Sequence, residues 1–302
     1  MTDDESSMRK VLRTVEHLLK PIIGNEGIAR IGTLISLHRL LRLKAPRTYS
    51  DLIQRRMLYD KSPDLAWTCD KCAMKEHAKA MNVRVPQTLW FGETLDSLIG
   101  VTLTGQWVAK PNNSSGLVYF GSSSPDAAMV VEIKKKIGSG LNPYNDLGQW
   151  AYSQAKKGFL IEALLGNPPI PDYKVFVFHG YAVCIDVHLN RYQSKQRTTF
   201  NRTWQQVGVP LYADSMVLDI PRPECLEAMI DDAERIASAF DFMRVDFYVT
   251  EETYYFGETT PYPGAGRTLL NREFDTFLGN LWLSGSKQSV IDLYPKMEQF
   301  LL

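Results

Sequence analysis

The chain has 302 residues, enough for two or three packed layers, and its 44% hydrophobic and 23% charged content is ordinary for a soluble globular protein. Its 34 basic residues balance 34 acidic ones, which gives no basic excess for nucleic acid. No apolar run reaches membrane-spanning length, the start Met1–Glu5 is acidic without a signal-peptide core, and four cysteines make no secreted disulfide framework; a cytoplasmic location is expected.

Residues 8–20 carry apolar positions at helical spacing, with Pro21 and Gly24 as stops. Residues 28–44 read as a second amphipathic helix, made basic by Arg30, His38, Arg39, Arg42 and Lys44. Such a helix suits peripheral contact with an anionic membrane, or packs on the domain with a solvated charged face. Tyr49–Tyr59 reads as helix, and so do residues 64–82. The pair Cys69 and Cys72 falls on that last helix with no second pair, so it reads as packing rather than zinc or redox chemistry.

From Val85 the pattern becomes strand-rich: Thr88–Phe91, Trp107–Lys110 and Leu117–Phe120. Residues 144–157 look helical, and Phe159–Leu165 is a short apolar run carrying Glu162. Tyr173–Phe178 and Tyr181–Val187 make a hairpin around His179-Gly180. Residues 188–205 are polar and basic and read as a mobile loop that orders over ligand. A helix at 223–240 leads to a second hairpin, and helices close the chain.

That second hairpin, Arg244–Arg267, carries the strongest chemical signal. Centred on Glu252, it places Asp246 opposite Glu258, with Cβ atoms about 5 Å apart. Two carboxylates that close repel unless a proton or cation lies between them. A hard divalent cation shared with substrate phosphates is one occupant; a solvated pair of surface acids is the other reading. Upstream, Lys110 ends a strand before the polar turn Asn112–Gly116, whose backbone N–H groups could cradle phosphate; a plain exposed turn is the alternative.

Taken in order, the parts resemble the ATP-grasp superfamily and, in detail, the TupA-like family of teichuronopeptide biosynthesis. The resemblance spans about residues 46–266. It is carried by Pro-Arg-Thr-Tyr from Pro46, Asp70-Lys71, Lys-Pro-Asn-Asn-Ser-Ser-Gly from Lys110, Pro-Asp-Tyr-Lys-Val-Phe-Val from Pro171, Arg-Val-Asp from Arg244, and Phe-Gly-Glu-Thr-Thr-Pro-Tyr-Pro-Gly from Phe256. It implies an α+β fold in which two subdomains grip ATP, drawn here as a helical region at 1–60, an N-subdomain at 61–158 and a C-subdomain at 159–302.

The resemblance further implies that Lys71 and Lys110 meet the α- and β-phosphates, and that Asn113, Ser114, Ser115 and Gly116 close over them. Glu162, Ala163 and Leu164 would hold the adenine edge, and Asp172 the ribose. Asp246, Glu258 and Thr260 would bind Mg²⁺ (or Mn²⁺), although the neutral Thr260 stands where many ATP-grasp ligases carry Asn. Arg191, Lys195, Arg197 and Arg267 are the cationic candidates for the transferred phosphoryl group or a substrate carboxylate, or else belong to a solvated basic loop, and Lys174 either reaches the γ-phosphate or acyl-phosphate or pairs with Asp172. The implied reaction is ATP-dependent joining of a small-molecule carboxylate to an amine through an acyl-phosphate, for a polysaccharide or related metabolite. A phosphotransferase acting on a hydroxyl and a non-catalytic nucleotide-binding protein are the alternatives.

Overall fold

The computed structural model describes residues 3–138, 148–166, 170–189, 196–208, 215–251 and 253–302, with side chains from residue 18 onward. Helix α1 (Asp3–Leu37) runs through Pro21 and leaves helical geometry only at Gly24, at φ 66° and ψ −178°. Glycine reaches that conformation without a Cβ penalty. The helix expected over 28–44 stops at Leu37, where His38 turns the chain at φ 53°. Leu41 and Leu43 are still buried, but by irregular chain rather than by a helical stripe.

Helix α2 (Tyr49–Tyr59) starts where its pattern predicts, with Thr48 accepting from the Asp51 N–H. The single helix expected over 64–82 is two pieces. A 3₁₀ turn covers Pro63–Cys69, and α3 (Lys71–Ala80) begins afresh because Asp70 caps it, accepting from Ala73 N at 3.0 Å. Cys69 and Cys72 therefore sit on separate elements, both as free thiols.

Strands β1 (Thr88–Gly92), β2 (Trp107–Pro111), β3 (Tyr119–Gly121) and β4 (Phe159–Ala163) form an antiparallel sheet in the order β1-β4-β2-β3. Strand β4 lies between β1 and β2, so this sheet ends at Ala163. Helix α4 (Ala127–Ile137), which the sequence reading did not single out, buries Val130, Ile133 and Ile137 in one cluster with Trp107, Ala109 and Ile161. The helix expected over 144–157 is described only as α5 (Trp150–Gln154); residues 144–147 lie outside the described residues.

The second sheet is antiparallel and five-stranded, in the order β7-β6-β5-β8-β9. Its strands are β5 (Asp172–Phe178), β6 (Tyr181–Leu189), β7 (Gln196–Asn201), β8 (Phe242–Val249) and β9 (Tyr254–Thr260). Helices α6 (Leu226–Ile236), α7 (Arg272–Leu283) and α8 (Lys287–Leu293) complete this half. Tyr49 of α2 and Trp282 of α7 pack on Phe178 and Phe242, so the N-terminal helix α2 belongs to the core of the second sheet.

The mobile loop expected over 188–205 is corrected: its described part after residue 195 is β7, with Arg197–Asn201 buried. Thr198 and Phe200 alternate with Arg197, Thr199 and Asn201, and Phe200 stacks on Trp204 with ring centroids 4.1 Å apart. The polar positions disguised a strand because they face other buried polar groups instead of water. Arg202 is drawn to Glu234 of α6 at 3.2 Å. Arg191 and Lys195 lie outside the described residues.

Candidate active site

Strand register decides which side chains meet. Lys174 stands opposite Asp186 on β6 and Asp246 on β8, and Asp246 stands opposite Glu258 on β9. One row further, Arg244 faces Thr260, and Asp172 faces His188, which itself faces Arg197. Side chains two apart on a strand share a face. All of these therefore share the face that carries Phe176, Phe178 and Phe242. Helices α2 and α7 cover the aromatic half of that face, and the charged half adjoins the first sheet.

The charged half is tightly bonded. Lys174 Nζ donates to Asp172 Oδ2 and Asp246 Oδ2, each at 2.6 Å. Arg244 holds Asp246 with two bonds of 2.7 Å, from Nε to Oδ1 and from Nη2 to Oδ2, and Nη2 also reaches Thr260 Oγ1 at 3.1 Å. Asp172, Lys174 and Asp246 are each 3% exposed or less. Charges so deep persist only when paired and hydrogen-bonded. Glu258 differs: it is half-buried and has no hydrogen bond or ion pair among the described residues. Asp186 accepts from His188 Nε2 at 2.7 Å and from the Thr199 hydroxyl at 3.4 Å. Burial pushes His188 below its ordinary value, against the pull of Asp186.

The first sheet contributes lysines. Glu162, on β4, is gripped by Lys75 at 2.6 Å and by Lys110 of β2. Burial pushes its carboxyl up, but the two lysines outweigh that and hold it below its ordinary value. Its carboxylate is thus a counter-ion for two lysines. Ala163 N and Leu164 N donate to Gln87 O and Gln106 O.

Lys71 lies at the junction of the two sheets. Burial pushes its ammonium down to about 8, while the charge of Glu258 pulls it up and that of Lys110 pushes it down. Its Nζ donates to the Ser114 and Asn112 carbonyls, so it already touches the Asn112–Gly116 turn. Asn112 ties that turn down: its side chain accepts from Cys72 N at 2.9 Å and donates to Lys156 O at 2.7 Å. Asp70 secures the other side through Lys156 N at 2.7 Å. Asn113 and Ser114 are buried, Ser115 is half-buried, and Gly116 is exposed at φ 79° with open space around it. A conformation of that kind is open mainly to glycine.

These residues fit a nucleotide with a divalent cation. Ser114 Oγ is buried and has no partner, which suits an acceptor such as phosphate. No group of three or more His, Cys, Asp or Glu could hold a metal among the described residues, so Asp246 and Glu258 would form a two-carboxylate site completed by other oxygens. Mg²⁺, which takes few protein carboxylates together with phosphate and water oxygens, would suit such a pair. Thr260 Oγ1 accepts one bond from Arg244, which leaves its second lone pair for a cation. Asp246 would exchange cationic partners for the metal.

Arg267 and Arg197 meet different surroundings: Arg267 reaches α1, and Arg197 lies at the far edge of the charged face. Arg267 packs its guanidinium on Gly32 of α1 and donates to Ile28 O at 3.1 Å. Arg197 stands on β7, in the row of His188 and Asp172. The sequence reading missed Lys75, Arg244, Asp186 and His188. Arg244 was within reach, since the Arg-x-Asp spacing sets it on the same strand face as Asp246. Lys75 follows from Lys71 at helical spacing.

The TupA-like ATP-grasp family matches residues 51–283, more than half of the chain. No curated protein matches the chain. Among solved structures, the ATP-grasp ligase PsnB with a phosphomimetic variant of a minimal precursor, Mg and ADP is similar at 11% identity and TM-score 0.43, covering 77% of this chain and 61% of that one. D-alanine–D-alanine ligase from Helicobacter pylori is similar at 17% identity and TM-score 0.43, covering 72% and 58%. L-amino acid ligase from Bacillus licheniformis follows at 13% and 0.41, covering 66% and 41%. The chain thus spans about three fifths of the length of the first two. Likenesses of that grade carry no functional weight; the assignment rests on the family match, and by it the chain belongs to the TupA-like ATP-grasp family.

Proposed function

We propose that the protein is an ATP-dependent carboxylate–amine ligase working through an acyl-phosphate. The observation that carries this reading is the junction of two charge clusters: Lys71, Lys75, Lys110 and Glu162 from the first sheet, and Lys174, Arg244, Asp172, Asp246 and Glu258 from the second. The lysines of the first cluster and the Asn113–Gly116 turn position the phosphates. Lys174 and Arg244 are aimed at the same carboxylate, Asp246, so both are placed to follow a γ-phosphate drawn to that spot. A divalent cation at Asp246 and Glu258 would neutralise charge developing on the phosphate oxygens. The reaction needs little covalent chemistry from the protein; positioning, electrostatics and exclusion of water suffice.

Balance requires the carboxylate oxygen to bond to the γ-phosphorus as ADP leaves. The amine then bonds to the acyl carbon, phosphate departs, and one proton is released from nitrogen. The substrates are proposed as an amino acid joined to a sugar acid, peptide or related metabolite. An ATP-consumption screen over amino acids and carboxylates, read by product mass, tests this. An amide product supports the ligase; a phosphorylated product supports a kinase instead.

A further inference from the structure

We infer that the end of α1 and the segment after it form a docking surface for anionic membrane lipid, built around a cationic cavity and exposed apolar side chains. The cavity measures about 390 Å³ and is lined by Arg30, Arg42, Lys44 and Arg47, with Leu41 and Leu43 behind them. All four cations are exposed. Arg30 is paired with Glu26 at 2.7 Å. Arg42, Lys44 and Arg47 have no ion-pair partner among the described residues, in a chain whose total charge is zero. A concave site ringed by cations suits a phosphate-bearing headgroup.

The loop is built rather than loose. Buried Asp51, 0% exposed, accepts from the backbone N–H of Arg42 at 3.3 Å and of Arg47 at 3.5 Å. It also binds Arg39 at 2.6 Å. One carboxylate thus folds residues 42–47 into a bracket that leaves the cationic side chains outward. Arg39 continues to Asp275 of α7 at 3.4 Å, and Arg267 ties α1 to the turn after β9. The surface is therefore fixed to the half of the molecule that carries Asp246.

Apolar exposure next to the cations selects a membrane over a nucleic acid. Leu34 is 50% exposed, Ile35 46% and Leu40 76%. Leu34 follows Arg30 by one helical turn and so shares its face, and Leu40 adjoins Leu41 of the cavity. Single exposed apolar side chains need no explanation, but three within residues 34–40, in the stretch between Arg30 and the cations at 42, 44 and 47, form the pattern of an interfacial contact. A duplex offers phosphate but no apolar layer for Leu40 to enter.

Full-length protein is mixed with vesicles of phosphatidylcholine alone or with one third phosphatidylglycerol, and the bound fraction is read by sedimentation. The anionic vesicles are expected to retain the protein and the neutral ones not, with binding lost in high salt. Each cation removed costs about fivefold, so R42Q/K44Q/R47Q together weaken binding about a hundredfold. L34S/L40S weakens it too, and the thermal midpoint stays at the wild-type value in both variants. Soluble glycerophosphate and a short DNA duplex are the competing probes. Equal retention by neutral vesicles overturns the inference. So does binding that survives the triple variant, or that depends on the cations but not on Leu34 and Leu40. Tight binding of duplex or glycerophosphate without vesicle binding overturns it as well.

Discussion

Replacing either carboxylate of the opposed pair should abolish Mg²⁺-dependent turnover, but only one replacement should weaken the fold. Asp246 accepts three charge-assisted bonds, from Lys174 and twice from Arg244, at 2.6 to 2.7 Å. Asp246→Asn keeps one carbonyl oxygen, turns an amide toward the cations, and leaves a surplus buried positive charge. Removing one partner of a buried pair costs about 3–5 kcal/mol, and one charge-assisted bond is worth about 1.5–3 kcal/mol. Lys174 keeps Asp172, and the asparagine carbonyl can still accept one bond, so about 2–4 kcal/mol is expected. At roughly 2–4 °C per kcal/mol for a chain of this size, the midpoint falls by about 5–15 °C. Glu258 has no such bonds, so Glu258→Gln should stay within about 0.5 kcal/mol of wild type. Thermal unfolding without nucleotide, run beside ATP turnover, reads both effects. A wild-type midpoint for Asp246→Asn, or an equal fall for Glu258→Gln, would refute the reasoning.

Lys110→Ala should weaken ATP binding about tenfold to a hundredfold in calorimetry, the worth of one charge-assisted phosphate contact; an unchanged affinity removes Lys110 from the site. Lys71 titrates near 8 in the fold against an ordinary 10.5, because burial penalises its charge. A lowered lysine binds fewer protons folded than unfolded, so its penalty is full below about pH 8 and is relieved as pH rises toward 10.5. Stability relative to Lys71→Met should therefore improve from pH 8 to 10 in denaturant titrations, while ATP affinity falls as the ammonium loses its charge. Identical pH profiles for wild type and Lys71→Met would contradict both. Asp70→Ala removes the cap of α3 and the bond to Lys156 N, so the thermal midpoint should drop by several degrees, with about 1–2 kcal/mol lost from the cap alone.

The acidic hairpin was legible from its period-two alternation and short polar connection, but the strands nearest the turn pair one residue off a centre at Glu252, and an irregularity at Gly257 restores the opposition of the two acids. Asp246 meets Glu258 as the sequence predicts. The break at Asp70 was not legible, since the apolar spacing on either side continues the helical pattern. Only the side-chain bonds of Asp70 to Ala73 N and Lys156 N reveal why the helix restarts. Strand β7 was hidden because Arg197, Thr199 and Asn201 look solvated in sequence, and the partners of the first two, His188 and Asp186, stand on β6. The double grip of Lys75 and Lys110 on Glu162 likewise depends on sheet order, with β4 lying between β1 and β2.

The central claim is transfer of the γ-phosphoryl group to a carboxylate oxygen. Once the mass-read screen has supplied a turning-over acid, that acid is prepared with ¹⁸O in its carboxyl group and the released phosphate is examined by ³¹P NMR. The account predicts one ¹⁸O atom in each phosphate formed, delivered when the amine breaks the acyl-phosphate. Unlabelled phosphate, or phosphate retained on the product, would contradict it.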